Sequence, residues 1–171
     1  MVSDRSNVID TETTGLTHDD QIIEIAILDE TGAVLFHSLV RPSVSVSEGA
    51  FCVQGITSEE LSSAPAWPAV YPQVRRFISG HFAICHNAGF DRRMLWQTCK
   101  AYDLPYIEPA RWGCTMDLLT ATNGGRFPNL CHAMKIAGAV SPDGEYHRAL
   151  FDAECCRRIV SALAASAKTA T

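Results

Sequence analysis

The sequence predicts an α/β domain in which a mixed sheet is flanked by helices, and three observations carry that reading. The first is a β-branched run, Gln21 to Leu28, joined by the turn Asp29-Glu30-Thr31-Gly32 to a second apolar run, Ala33 to Val40, which makes a hairpin. The second is helical spacing of apolar residues in three later segments, at Val70, Val74, Phe77 and Ile78, at Phe90, Met94, Leu95, Cys99 and Tyr102, and at Leu150, Ala153, Ile159, Val160 and Leu163. The third is the short apolar run Phe82-Ala83-Ile84-Cys85, which separates the first two of those segments and reads as a buried strand. Strand, hairpin, helix, strand, helix, strand, helices is the order of an α/β sheet with helices on its faces.

Taken along the chain, the first strand is short, since only Val8 and Ile9 precede Asp10 as apolar residues. Residues 42–68 are rich in Pro, Ser and Gly and read as a long connection, with one helical turn after Thr57-Ser58-Glu59-Glu60. A helix follows from Ala69 to Ser79 and is stopped by Gly80; another runs from Ala88 to Tyr102 and closes before Leu104-Pro105. Gly113 to Met116 reads as a last short strand, with a helix from about Asp117, a further helical piece over Leu130 to Ala137, and a final helix over Arg148 to Ala167. Residues 166–171 are small and carry little to anchor them, so fraying is expected there.

At 171 residues, 47% of them hydrophobic, the chain suits one domain over 1–171 with an ordered core over about 8–165. No apolar run reaches the length of a membrane span, and the N-terminus has neither the basic start nor the apolar middle of a secretory signal, so a cytoplasmic protein without membrane contact is expected. The seven cysteines contain no Cys-x-x-Cys pair and read as reduced, mostly buried small hydrophobes. A formal charge of −5 excludes a broad basic footprint on nucleic acid. It leaves open a compact site where bound metal ions reverse the local sign.

Four acidic residues point to such a site. Asp10 and Glu12, two apart on an extended chain, aim both carboxylates the same way. Asp91 lies on the inward stripe of its helix, where an unpaired charge is costly, and Asp152 falls in the first turns of the last helix. Strand ends and helix starts of an open α/β sheet converge on a crevice where ligands bind. Oxygen ligands of this kind suit a hard divalent ion, and two metals about 4 Å apart can clamp the attacking and leaving oxygens of a phosphodiester displacement. His147, just before the last helix, has the chemistry to take a proton from an attacking water. Glu24, inside an otherwise apolar strand, reads as a structural hydrogen-bonding group rather than a catalytic one.

The stretches Val8 to Leu16 (VIDTETTGL), His86 to Leu95 (HNAGFDRRML) and His147 to Glu154 (HRALFDAE) resemble the three motifs of the DEDDh 3′-to-5′ exonucleases of the ribonuclease-H-like superfamily, with four residues between His147 and Asp152 as that subgroup requires. The resemblance implies a five-stranded mixed sheet flanked by helices, two Mg²⁺ or Mn²⁺ ions, and release of nucleoside 5′-monophosphates from a nucleic acid 3′ end, with DNA favoured over RNA. By motif position it makes Asp10, Glu12, Asp91 and Asp152 the metal ligands and His147 the general base. Thr13, Thr14, Gly15 and Leu16 would hold the terminal nucleotide through backbone and an apolar wedge, with Asn87 and Phe90 nearby. Gln54 stands where relatives often have His. A homodimer is compatible with the resemblance. A polymerase proofreading subunit, an RNA-directed exonuclease and an inactive nucleic-acid-binding module are the alternatives. The other histidines read as structural or surface residues, and Trp67, Trp96 and Trp112 as core or lid packing with base stacking the alternative, while Arg92 and Arg93 are candidates for phosphate contact.

Overall fold

The computed structural model describes residues 6–144 and 146–169. Residues 1–5, which carry the start of the N-terminal segment read above, and 170–171 of the expected frayed tail lie outside the described residues.

Five strands form one mixed sheet: β1 (Ser6–Thr13), β2 (Ile22–Asp29), β3 (Val34–Leu39), β4 (Phe82–Cys85) and β5 (Arg111–Cys114), in the spatial order β3-β2-β1-β4-β5. β1 pairs antiparallel with β2, β2 antiparallel with β3, and β1-β4-β5 run parallel. Among the described residues seven helices flank it: α1 (Glu48–Gln54), α2 (Ser58–Ser63), α3 (Trp67–Ile78), α4 (Ala88–Ala101), α5 (Thr115–Thr120), α6 (Leu130–Ala137) and α7 (Ala149–Thr169).

Side-chain alternation along β1 decides what each face of the sheet receives. Ile9 joins Ile25, Ile27, Ala83 and Cys85 under α3 and α4, where Trp67, Val70, Val74, Met94 and Leu95 complete the larger core. Val8 joins Ala26, Leu28 and Ile84 on the other face, where α7 presents Ala149, Ala153 and Cys156. Those small residues let α7 lie close against the sheet, so its first turn reaches the far half of β1. The apolar groups that leave water here are the main stabilising contribution, about 25 cal/mol per Å² of buried apolar area.

Three expectations are corrected. The first strand is eight residues long, so Asp10 and Glu12 sit inside it rather than at its end. Its polar residues are kept by specific partners: Asn7 donates its amide to the Phe77 carbonyl at 2.6 Å, and Thr11 donates its hydroxyl to Asp91 at 2.9 Å. The connection over 42–68 holds two helices, not one turn; α2 carries the expected capping box between Thr57 and Glu60, while α1 is capped by Ser47 and by Gly55 in the left-handed region. At the C-terminus α7 continues through 166–169, where fraying was expected, with the Ser166 hydroxyl donating to the Ala162 carbonyl. Four cysteines are buried, Cys114 is partly so, and Cys52 and Cys131 are exposed. No helix among the described residues is long and apolar enough to cross a membrane.

Candidate active site

Asp10 and Glu12 project from the α7 face of β1, because they share the alternation of Val8. Asp152, in the first turn of α7, meets them from above. Asp91 comes from the opposite face, one turn into α4, and the Thr11 hydroxyl between Asp10 and Glu12 holds its carboxylate. The strand thus alternates a carboxylate, the tether of a third carboxylate, and a second carboxylate.

Glu12, Asp91 and Asp152 are buried, Asp10 is partly so, and none takes part in an ion pair with Lys or Arg among the described residues. Burial, with the charges of Asp152, Glu24 and Asp91, pushes Glu12 up to about 8. Burial also raises Asp91 to about 7 against the hydrogen bond from Thr11, and Asp152 to about 6 against the bond from the His147 backbone. Asp10 is raised well above the usual carboxylate range by burial and by Asp91, Asp152 and Glu12. Such a cluster is self-repelling as four anions, and either protons or a cation must relieve it. One oxygen makes the same point: Asp152 Oδ1 is buried with no hydrogen-bond partner, whereas Oδ2 accepts from the His147 N–H at 3.1 Å.

His147 precedes α7 with φ of +67°, a left-handed conformation that a residue with a side chain keeps only when its surroundings impose it. The ring is exposed, and one ring nitrogen lies with carboxylate oxygens of Glu12 and Asp152 in a group whose members are all within 4.8 Å of one another. This donor set, hard oxygens with a single imidazole, fits a divalent ion of the Mg²⁺ or Mn²⁺ kind.

The four residues expected to receive the terminal nucleotide form a tight turn. The Thr13 hydroxyl donates to the Gly15 carbonyl at 2.8 Å, and the Thr14 hydroxyl donates to Asp20 at 2.6 Å while accepting from the Gln21 N–H at 3.0 Å. A Cβ on Gly15 would stand 2.8 Å from the Asp20 carboxylate, so glycine is required by space. Thr13 and Thr14 therefore spend their side chains on the loop, and Leu16, 76% exposed, is what the loop presents. From α4, Arg93 donates to the Leu16 and Thr17 carbonyls at 3.4 and 3.2 Å, and Gln97 donates to the Thr17 and Asp20 carbonyls. Arg93 is thus a strut for the Leu16 loop, with its guanidinium over the Phe90 ring; Arg92 is exposed. Phe90 is half-buried beside Asp91, and Asn87 is exposed at the head of α4. His86 is buried and structural, its ring bridging the Thr115 hydroxyl and the Pro128 carbonyl.

The exonuclease family profile of the RNase T type matches residues 8–160, which takes in every residue of this site. The chain belongs to that exonuclease family. An uncharacterized exonuclease of Escherichia phage 186 is 35% identical to it over 167 residues, covering 91% of this chain and 86% of that protein. Exodeoxyribonuclease 10 of Escherichia coli K12 is 30% identical over 151 residues, 85% of this chain and 62% of that longer protein. Among solved structures, exonuclease X in complex with 5′-overhanging duplex DNA matches this exonuclease fold with a TM-score of 0.73 at 29% identity, covering 95% of this chain and 93% of that one. The Phe90-Asp91-Arg92-Arg93 tetrad and the Cys114-Thr115-Met116 stretch resemble exonuclease X as well.

Two residues are legible in the sequence only in part: Gln54, as a departure from its relatives' His but not as a neighbour of Glu12 with a buried Oε1 that lacks a hydrogen-bond partner, and Glu24, as a hydrogen-bonding group but not as one joined to the start of α7. Gln54 ends a helix that the apolar pattern did not reveal, and Arg148 lies 124 residues from Glu24.

Proposed function

We propose that this exonuclease removes nucleotides from the 3′ end of DNA by two-metal phosphodiester hydrolysis, releasing nucleoside 5′-monophosphates. One observation carries the reading: four carboxylates from β1, α4 and α7 converge without an Arg or Lys partner, and His147 stands at their edge. Asp10, Glu12, Asp91 and Asp152 would hold the ions, which when bound lower the pKa of a coordinated water and neutralise the developing charge on the phosphate. The chain's own residues do the rest. Thr11 fixes Asp91, the Arg93 and Gln97 struts hold the loop so that Leu16 can wedge against the terminal base, and Phe90, half-buried beside Asp91, offers a ring nearby. His147, exposed at the rim, accepts the proton of the attacking water at a ring nitrogen, assistance typically worth about 10² to 10⁴ in rate.

Two relatives support DNA over RNA: one is named an exodeoxyribonuclease, and the other was solved with duplex DNA. The test is to digest end-labelled single-stranded DNA, 5′-overhanging duplex DNA and an RNA of the same sequence in parallel, each labelled in turn at the 5′ and the 3′ end. Progressive shortening of the 5′-labelled DNA, with mononucleotides from the 3′ label, is expected; equal or faster attack on RNA would overturn the substrate assignment.

A further inference from the structure

We propose that Glu24 is the positioning residue for His147, an inference that rests on the reading of His147 as general base. Glu24 lies on β2 with its Cα paired to that of Glu12, is fully buried, and spends its carboxylate on His37 and the start of α7. Its Oε1 accepts from His37 Nε2 at 2.8 Å and from an Arg148 terminal nitrogen at 3.1 Å. Its Oε2 accepts from Arg148 Nε and from the Ala149 N–H, both at 3.1 Å. Four hydrogen bonds fill the acceptor capacity of a carboxylate, so Glu24 has none left for a metal ion.

The residues it grips, Arg148 and Ala149, are the two that follow His147. On the other side the His147 N–H is taken by Asp152, and the Asp152 N–H donates to the Arg148 carbonyl. His147 is therefore held from both sides in a left-handed backbone conformation that does not persist without such restraint. The His147 ring itself is exposed and makes none of the side-chain hydrogen bonds found among the described residues, so its place relative to Glu12 and Asp152 is set by its backbone. A fork-shaped, doubly bonded Arg148 gives that backbone both position and direction.

The test is a double-mutant cycle between Glu24→Gln and His147→Ala, read by kcat, KM and Mg²⁺ dependence on a single-stranded oligonucleotide. A misplacement of about 1 Å of a reacting group can cost about 10² in rate. Glu24→Gln should accordingly lower kcat by about 10- to 100-fold, with KM and the half-saturating Mg²⁺ concentration within about threefold of wild type. In the His147→Ala background the same substitution should change kcat by less than about twofold, because the group it positions is gone. Equal drops in both backgrounds would overturn the positioning role alone. If His147→Ala itself kept most of the wild-type kcat, the general-base reading would fail and this inference with it. Should Glu24→Gln not fold, Arg148→Met reaches the same restraint from a side chain that is 44% exposed, and Arg148→Lys should recover part of what Met loses. No difference between Lys and Met at 148, both at wild-type kcat, would also refute the proposal.

Discussion

Glu12 and Glu24 face each other across β1 and β2, two buried glutamates on paired backbone positions, yet they are held in opposite states. Burial pushes both upward. At Glu12 no ion pair among the described residues answers it and neighbouring carboxylates add to it, so the group rises to about 8. At Glu24 the hydrogen bonds from His37, Arg148 and the Ala149 N–H overcome burial and bring it down to about 2. One sheet thus carries a satisfied carboxylate and an unsatisfied one a strand apart. A buried charge that has its own partners stabilises and positions, whereas a cluster without them waits for a cation and is where function lies.

The sharpest way to break this comparison is to delete one member of each class. Asp152→Ala or Asp10→Ala should lower activity by about 10³-fold or more, the loss of several kcal/mol of transition-state stabilisation. In metal-free buffer neither variant should melt below wild type, because relief of the mutual repulsion offsets what is lost, which at Asp152 is the single hydrogen bond from the His147 N–H. Glu24→Ala should do the reverse in the melting experiment, leaving the buried Ala149 N–H without an acceptor and lowering Tm by about 5 to 10 °C. A large Tm loss in metal-free Asp152→Ala would show that the cluster is structural.

A gentler test is pH and metal. A carboxyl raised on folding holds its proton more tightly in the native state, so its stabilising contribution is fully present below its unfolded pKa of about 4 and is lost as pH rises through the folded value. With Asp152, Asp91 and Glu12 at about 6, 7 and 8, the metal-free protein should lose stability steadily between about pH 4 and pH 8. Glu24 acts in a separate window: its contribution is present above about 4.5 and disappears only as pH falls through about 2. Melting in excess chelator should therefore show Tm falling by about 5 °C or more from pH 5 to 8.5. Saturating Mg²⁺ should flatten that slope by replacing the protons, and chelator should abolish activity. A Tm that rose with pH in chelator would contradict the assignment of these carboxylates as unpaired.

Much of this was legible in the sequence because it is local. Spacing of two on a strand placed Asp10 and Glu12 together, the inward stripe of α4 exposed Asp91 as a misfit, and the hairpin, β4 and α6 follow directly from apolar patterning. What stayed hidden depends on partners far along the chain. β1 reads as short because Asn7, Thr11 and Glu12 look like loop residues until Phe77 and Asp91 supply their partners. α1 has no buried residue, and its Phe51 and Val53 are exposed, so no amphipathic period announces it; only its caps, Ser47 and Gly55, do. Glu24 could be read as hydrogen-bonded and not catalytic, but its partner Arg148 lies 124 residues away, and no pattern on β2 points to it. Trp96, read as a packing residue, is 48% exposed on α4 with Lys100 over its ring, whereas Trp67 is fully buried in the core.

The smallest expected effect sharpens the Glu24 side of the comparison by asking which partner matters. His37 and Arg148 both bond to Oε1, and the His37 contact is the shorter at 2.8 against 3.1 Å. Length alone would rank His37 first. Yet His37 comes from the edge strand β3 and is about one-third exposed, whereas Arg148 bonds both carboxylate oxygens and adjoins His147 in the chain. His37→Phe keeps a ring of similar bulk and removes one donor, while three hydrogen bonds still hold the carboxylate. A net loss of about 0.5 to 1.5 kcal/mol is the ordinary value of such a bond, so Tm should fall by about 1 to 6 °C. The kcat should stay within about twofold of wild type, because the grip on Arg148 and Ala149 survives. Arg148→Met, by contrast, should cost kcat much more than it costs Tm, since its side chain is partly solvated but its bonds set the backbone after His147. If His37→Phe lowered kcat as far as Arg148→Met does, then the carboxylate's own placement, fixed jointly by both partners, would govern the site, and the restraint would extend from β3 through β2 to α7 rather than from β2 to α7 alone.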